Sequence, residues 1–392
     1  MVTPVVSGAW NAQLYALEAL RYLSNTRPFL MTTNTRYETE RRAFGLGDTI
    51  TIKKRQTPTV RTDADLSYDA LAPGTLQLTV DQYRHASSEI ADWDLAFAGQ
   101  ECLDMHVFPA VDALADNITS HCLQKAYQGV GPYSAVSDPA AAADITAAQK
   151  VLMTNKAPIQ DEANMHFVIS PAMNAELLNL SAFTQWQGSG ATGVQNQRTG
   201  QLTPRYGFNF HPTQLLSTHA PGTLGGSPAV NGAVAKGATT LALDGAATSG
   251  TVKAGDAFTI AGDSTVYVVT ADATASSGAI AALTFAPELQ VAAANDAVMN
   301  FATFQSAVAS GDVMNMAYHS DAFAFCAVPL PVGPQHTQAA DIGVATDPQS
   351  GLSLRVVMAW DAATRKSKMT VDALFGFKVL NPMLAVRAYQ TI

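Results

Sequence analysis

Gly47-Asp48-Thr49-Ile50-Thr51-Ile52-Lys53-Lys54-Arg55 is the stretch whose reading decides the fold. Ile50 and Ile52 fall on one face, with Thr49, Thr51 and Lys53 on the other. That alternation marks a half-exposed strand. From Gln56 to Gly74 the chain is polar and rich in turn formers, with Pro58, Asp63, Asp65 and Pro73-Gly74. A second alternating run, Thr75 to Tyr83, carries Leu76, Leu78 and Val80. Two strands around a polar tip of about 20 residues make a long hairpin-like excursion, and loops of that length in compact domains are usually functional. The tip holds few apolar residues, so it needs something outside its own core to pack on. A neighbouring subunit is the natural candidate.

Working outward, residues 9–23 place Trp10, Leu14, Leu17 and Leu20 at helical spacing, and Ser24-Asn-Thr-Arg-Pro-Phe29 breaks the pattern. This helix is either an arm or an element packed on its own domain. Beyond the hairpin, residues 91–128 form a long helical stretch. Leu103, Val107, Val111, Leu114 and Ile118 share one face, and Gly129-Val-Gly131-Pro132 ends it. Pro109 inside it is expected to kink the helix or to open a new one. From Leu103 to Gln128 alone the helix spans about 40 Å.

An α/β region follows. Asp138-Pro139 reads as an N-cap with proline at the first helical position, opening a helix to about Asn155. Met165 to Ile169 is a short buried strand. Ser170-Pro171 repeats the cap and opens a helix through about Phe183. Gly188 to Gly200 is a glycine-rich mobile loop, and Tyr206 to Leu216 is strand. From about Gly222 to Asn300 the composition shifts to Ala, Gly, Thr, Ser and Val, with Lys236 and Lys253 the only bases. Alternating runs at 239–243, 257–260, 265–269 and 282–285 between Gly/Asp/Ser turns mark a small all-β domain, inserted because the α/β pattern resumes near Phe301. Gly255-Asp-Ala-Phe-Thr-Ile echoes Gly47-Asp-Thr-Ile-Thr-Ile, both as turn-to-strand entries. The chain closes with strands over 352–360, 369–375 and 384–389.

Bulk numbers fit this picture. A chain of 392 residues with 14% charged residues is globular and sparsely charged, as a surface covered by partners would be. Residues 1–61 hold nine Lys/Arg against four acids and are +5, while the remainder is −14. A basic arm and an acidic body suit head-to-tail contact between copies. The basic density is too low for tight DNA recognition. The three cysteines, Cys102, Cys122 and Cys326, match no zinc or redox spacing and read as reduced thiols. Met1 to Gly8 lack the basic region and apolar core expected of a signal peptide, and no apolar run is long enough to span a bilayer.

The search for chemistry yields no enzyme. Gly188-Ser-Gly190-Ala-Thr-Gly193 fits G-x-G-x-x-G, but a helical stretch precedes it where a nucleotide site needs a strand. His319-Ser320-Asp321 are consecutive, so their side chains cannot converge as a triad. Cys102 and His106 lie one helical turn apart with no further ligand, and Asp112 and Asp116 read as a solvated or partner-facing edge. No catalytic, cofactor-binding or metal-binding residue is assigned.

The order of elements resembles tailed-phage major capsid proteins of the Hong Kong 97 fold, closest to podovirus-type coat proteins with an inserted β-domain. Asn34-Thr-Arg-Tyr37-Glu38 with Gly47 to Lys54 resembles the entry to their E-loop. Phe108-Pro109-Ala110 with Leu114 to Ile118 resembles their spine helix, internal proline included. Tyr318 to Phe325 with Val328-Pro-Leu-Pro331 resembles a late strand, and Val371 to Leu380 the closing strands.

The resemblance implies an α+β capsid fold in seven segments. Residues 1–35 form an N-terminal arm, 36–90 the E-loop β-hairpin with its flanks, and 91–130 the spine helix and part of the peripheral domain. Residues 131–221 form the axial domain, 222–300 the inserted β-domain, 301–345 the return of the axial domain, and 346–392 the peripheral C-terminal strands. It also implies self-assembly into hexamers and pentamers of an icosahedral head around double-stranded DNA, without sequence-specific recognition and without a membrane. Expected partners are a scaffolding protein, a portal protein and possible decoration proteins, with assembly in the host cytoplasm and residence in the virion. Lys53, Lys54, Arg55, Arg61, Arg41 and Arg42 are the candidate intersubunit contacts. The alternative reading is a tail or surface-adhesin protein whose β-rich domain binds a receptor or glycan.

Overall fold

The structure, a computed structural model, describes residues 16–17, 28–35, 49–54, 62, 74–91, 101–185, 191–332, 341–346 and 353–391. It is a mixed α+β chain divided into two compact units. One comprises Met1–Arg27, Asn34–Ala115 and Ala324–Leu380; the other comprises Pro28–Thr33, Asp116–Phe323 and Asn381–Ile392. The helix expected over residues 9–23 lies outside the described residues except at 16–17, which are helical.

In the first unit the opening stretch is a strand, Thr49–Lys53, paired antiparallel with Thr75–Thr79 from Thr49↔Thr79 to Lys53↔Thr75. The alternation read from sequence is what the packing uses. Ile50 and Leu78 are directly opposed and buried, together with Val80, Ala324 and Cys326. Ile50, Leu78 and Val80 each contribute about 1.5–3 kcal/mol by leaving water. The polar tip expected over residues 56–74 lies outside the described residues apart from Thr62 and Gly74.

The run from Thr75 is not one strand. It ends at Thr79, and a new ten-residue strand, Gln82–Ala91, pairs with Lys366–Val379 from Gln82↔Phe375 to Ala91↔Lys366. The helix expected from residue 91 therefore starts later: Ala91 is still strand and the described helix begins at Glu101. Lys366–Val379 is the centre of a five-stranded sheet. It has Ser353–Asp361 and then Asp341–Thr346 on one side, and Gln82–Ala91 and Phe323–Val328 as its other partners. Val356, Val371, Ala373 and Phe375 are buried. A Cβ at Gly376 would collide with the Thr79 carbonyl and crowd Val80, so glycine is what lets the hairpin strand pass this close.

The long helix Glu101–Gly129 has 29 residues and continues through Pro109, where no second helix opens. Pro109 is exposed, and its ring leaves one backbone carbonyl a turn earlier without its helical N–H partner. The division between the units falls within this helix, at Ala115/Asp116. Val111, Leu114 and Ile118 are buried as the periodicity predicts, and the stripe continues through Cys122 and Ala126.

The second unit is built on a sheet ordered Tyr133–Ala135, Ala385–Gln390, Asp312–His319, Met165–Ile169, Asn209–Pro212, with Thr218–His219 also on the Asp312–His319 strand. The last strand of the chain thus pairs here rather than with the strands that precede it in sequence. Helices Ala142–Thr154 and Pro171–Leu178 cover the sheet through Ile145, Ala148, Leu152, Met173 and Leu177, packed in one cluster with Phe167, Phe183 and Phe210.

The two Xaa-Pro caps behave differently. Ser170 caps as expected, its Oγ accepting from the Met173 N–H at 3.0 Å. Asp138-Pro139 does not start a helix. The helix begins at Ala142, and Asp144 in its first turn accepts from the Ala141 N–H at 2.8 Å and from Ser137 Oγ, taking the capping role itself. The helix after Ser170 stops at Leu178, and a separate turn, Ser181–Thr184, follows.

Part of the glycine-rich stretch expected to be a mobile loop is a helix, Ala191–Thr199. Asn196 is buried there; it donates to the Phe183 carbonyl at 2.9 Å and accepts from the Thr203 N–H at 3.1 Å. Gly188 and Gly190 lie outside the described residues, and Gly193 is buried within this helix.

Residues 226–300 contain strands and turns only. The strands run in the order Met299–Asn300, Ala257–Ile260, Tyr267–Val269, Ile280–Ala286, Thr240–Ala246, Gly226–Val230. The two ends meet, because Ala229 bridges Val298 and the Val230 N–H donates to the Ala297 carbonyl at 3.0 Å. The sheet is a closed six-stranded barrel. Its interior is filled by Leu243, Phe258, Tyr267, Leu283, Phe285 and Phe301, with Phe258 stacked on Phe301 at 4.8 Å. Such a core leaves the barrel packed rather than hollow.

Candidate assembly surface

The hairpin presents two unlike faces. Ile50, Ile52 and Leu78 turn one towards the apolar cluster, with Leu76 opposite Ile52 in the ladder, while Thr51, Lys53 and Gln77 on the other are exposed. The ladder closes where the Lys54 N–H donates to the Gly74 carbonyl at 2.8 Å. Lys53 and Lys54 are therefore at the point where the excursion leaves the paired strands. Lys53 is exposed and Lys54 is half-buried, with its stem near Gly74. Arg41, Arg42, Arg55 and Arg61 lie outside the described residues, so two of the six candidate contact residues are placed.

The five-stranded sheet of the same unit carries charges that answer one another. Lys366 meets Glu89 at 2.5 Å and Lys368 meets Asp361 at 2.8 Å. Hydrogen bonds from Lys368, the Ala363 N–H and Thr364 pull the Asp361 carboxyl down to about 2. Asp372 is nearly fully buried and accepts from Arg355 Nη2 at 2.5 Å, Arg355 Nε at 3.1 Å and Tyr83 Oη at 2.7 Å. That hydrogen bond to Asp372 pushes the Tyr83 phenol up, and burial adds to the effect. Tyr83 and Trp360 nevertheless leave 47% and 58% of their surfaces exposed. Amphipathic aromatics of this kind are enriched where proteins meet. Sequence reading missed Tyr83 because its strand was merged with its neighbour, and it counted Trp360 with the apolar alternation of Ser353–Asp361, whose end is exposed.

In the second unit a buried charged joint ties the barrel to the main sheet. Arg387, on Ala385–Gln390, is fully buried and donates to the carbonyls of Gly255 and Gly131, its guanidinium lying 5.0 Å from the Phe304 ring centre. Burial pushes it down to about 10, which still leaves it charged at neutral pH. Asp256, also fully buried, accepts from His219 Nε2 at 2.9 Å, from the Gly222 N–H at 3.0 Å and from the Lys253 N–H at 2.9 Å. Nothing local in the sequence announces this joint, whose members are spread from Gly131 to Arg387.

His319, Ser320 and Asp321 do not converge on one another as a triad. Ser320 Oγ lies 3.1 Å from His166 Nε2, and His319 Nε2 lies 3.4 Å from Asp161. Asp112 and Asp116 are half-buried on the long helix; the side chains of Cys102 and His106 lie outside the described residues. Among the described residues no group of three or more His, Cys, Asp or Glu is placed to hold a metal ion. No described helix is long and apolar enough to cross a membrane.

Comparison with known proteins returns capsids by structure. The chain is similar to one from Mycobacterium phage Che8, with 14% identity and a TM-score of 0.49 over 91% of this chain and 89% of that one. It is similar to a chain in the capsid of cyanophage P-SCSP1u, with 11% identity and a TM-score of 0.43 over 88% and 84%. A chain in the mature capsid of bacteriophage PhiM1 gives 12% identity and a TM-score of 0.40 over 88% and 81%. No protein-family description and no curated protein matches the sequence.

Proposed function

We propose that this chain is the major capsid protein of a tailed phage, a shell-building protein and not an enzyme. The observation that carries the reading is the hairpin Thr49–Lys53/Thr75–Thr79. It is a two-stranded sheet with one buried face and one exposed face, it carries lysines where the excursion begins, and it is followed by a 29-residue helix. The exposed Tyr83 and Trp360 add apolar area on the same unit.

Copies join through heterologous contacts that close into hexamers and pentamers, and these build an icosahedral head around double-stranded DNA. Each contact is modest, and multivalency makes the shell stable. In this reading residues 36–90 act as an E-loop, 91–130 as the spine, and 222–300 as the inserted β-domain. Lys53, Lys54, Arg55, Arg61, Arg41 and Arg42 meet the acidic body of a neighbouring copy. DNA is enclosed without base readout. A scaffolding protein and a portal assist assembly in the host cytoplasm, and decoration proteins are candidate outer partners.

The test is the chain carrying Lys53→Glu, Lys54→Glu, Arg55→Glu and Arg61→Glu. It should remain soluble and folded by circular dichroism yet sediment as subunits where the parent forms shells. Normal shells from the charge-reversed chain would remove the basic excursion from the account.

A further inference from the structure

The second unit contains a hydrogen-bonded chain of side chains that the capsid reading does not use. His166 is at the start of the buried strand Met165–Ile169 and is 8% exposed. Its Nδ1 lies 3.1 Å from His211 Nε2, on the neighbouring strand Asn209–Pro212, and its Nε2 lies 3.1 Å from Ser320 Oγ. Ser320 in turn donates to the Asn164 carbonyl at 3.3 Å.

These partners fix where the protons sit. The Asn164 carbonyl can only accept, so the Ser320 hydroxyl points to it and its oxygen accepts from His166 Nε2–H. His166 Nδ1 is then bare and accepts from His211 Nε2–H. At neutral pH both imidazoles carry their proton on Nε2. A first proton can be taken up on His211 Nδ1 with the bond between the rings kept, but a proton on His166 Nδ1 sets His166 Nδ1–H against His211 Nε2–H unless His211 moves its own proton to Nδ1. Adding two leaves N–H against N–H at hydrogen-bond distance, with two positive charges in a mostly buried site.

Among the described residues no carboxylate is hydrogen-bonded to this pair. The groups facing it are His211 from Asn209–Pro212, the Tyr318 ring and His319 from Asp312–His319, and Ser320 from the following turn. Asp161 and Asp321 lie against His319, at 3.4 and 3.9 Å, rather than against His166 or His211. The Tyr318 hydroxyl is engaged with Thr32 at 2.6 Å.

We propose that His211, His166, Ser320 and Asn164 form an acid-released latch. It holds the turn Ser320–Ala322 and the strand Asn209–Pro212 to the strand Met165–Ile169 at neutral pH and lets them part in acid. The inference is independent of whether the chain builds a shell.

The sign follows from the titration. Burial first, then the nearby His211 and His319, pushes His166 from an ordinary value of 6.5 down to about 4. Burial lowers His211 as well. A lowered imidazole contributes stability that is present above its free value and is lost as pH falls through the folded value, because the opened form binds more protons in between. The latch therefore weakens across the window from 6.5 to about 4.

The experiment is hydrogen exchange by mass spectrometry on the full chain at roughly pH 7 and pH 5, corrected for intrinsic exchange. Protection of the Phe208–His211 and Ser320–Ala322 amides should fall on the order of tenfold. Val268 and Val269 in the barrel serve as the internal reference. His166→Gln is the deciding variant. Its Nε2 can donate to Ser320, and its Oε1 can accept from His211 Nε2–H whether or not His211 is charged. It should keep neutral-pH protection and lose the part of the acid response that His166 carries, leaving a smaller fall. An equal fall in His166→Gln overturns the proposal. Nitrogen-15 histidine spectra of the unaltered chain give a second reading that needs no variant: both His166 and His211 should show the Nε2–H form at neutral pH, and an Nδ1–H signal for His166 contradicts the latch.

Discussion

Two strands of this protein begin with nearly the same text and end in opposite situations. Gly47-Asp-Thr-Ile-Thr-Ile opens the hairpin strand, and Gly255-Asp-Ala-Phe-Thr-Ile opens a barrel strand. Ala257–Ile260 has partners on both edges, Tyr267–Val269 and Met299–Asn300, and buries three of its four residues. Among the described residues Thr49–Lys53 has one partner strand, and it buries Ile50 alone. The turn-to-strand signal is local, whereas satisfaction of the edges is decided by what the rest of the chain brings alongside. A closed barrel has no edge left to offer. Among the described residues the hairpin is a two-stranded sheet with Thr51, Lys53 and Gln77 exposed on one face, which is the physical reason to look there for contact between copies.

If the barrel and the hairpin are held by separate means, they can be broken separately. The largest effect is expected for Arg387→Ala. It strips the Gly131 and Gly255 carbonyls of their buried donor and empties the space by Phe304, costing about 3 kcal/mol or more. Urea unfolding followed by exchange should show loss of protection in the barrel with the hairpin ladder unchanged. Joint loss in both regions would break the comparison.

A smaller effect is expected for Gly376→Ala, whose added methyl meets the Thr79 carbonyl and the Val80 backbone. Overpacking of this kind costs about 1–3 kcal/mol. Here the Thr75–Thr79 amides should exchange faster while the barrel keeps its protection.

Legibility in the sequence follows the same divide between local and distant causes. The hairpin was readable because Ile50, Ile52, Leu76 and Leu78 alternate against polar neighbours over one buried face. The Ser170 cap was readable because its partner, Met173, is three residues away. Asp138-Pro139 misled because the same residue pattern competes with Asp144, which reaches back to Ala141 and Ser137. The strand Gln82–Ala91 was hidden because Tyr83, His85, Ser87 and Glu89 are exposed on one face, while Arg84 and Ser88 interrupt the apolar alternation of the other. The helix Ala191–Thr199 has little apolar periodicity of its own and is held by Asn196 bonding outside it.

For the candidate surface, charge asymmetry pointed to Lys53 and Lys54, which the structure places at the end of the paired strands, the first exposed and the second half-buried. The buried groups were not legible at all. Arg387, Asp256, His219, His166 and Ser320 are brought together only by the fold, and no spacing in the chain encodes their meeting.

The central claim is that this chain builds closed shells. Negative-stain electron microscopy of the purified full-length protein, under conditions that favour assembly, tests it most directly. The account predicts closed, roughly spherical particles made of rings of subunits. Elongated fibres or tubes would contradict it and favour a tail or adhesin protein instead.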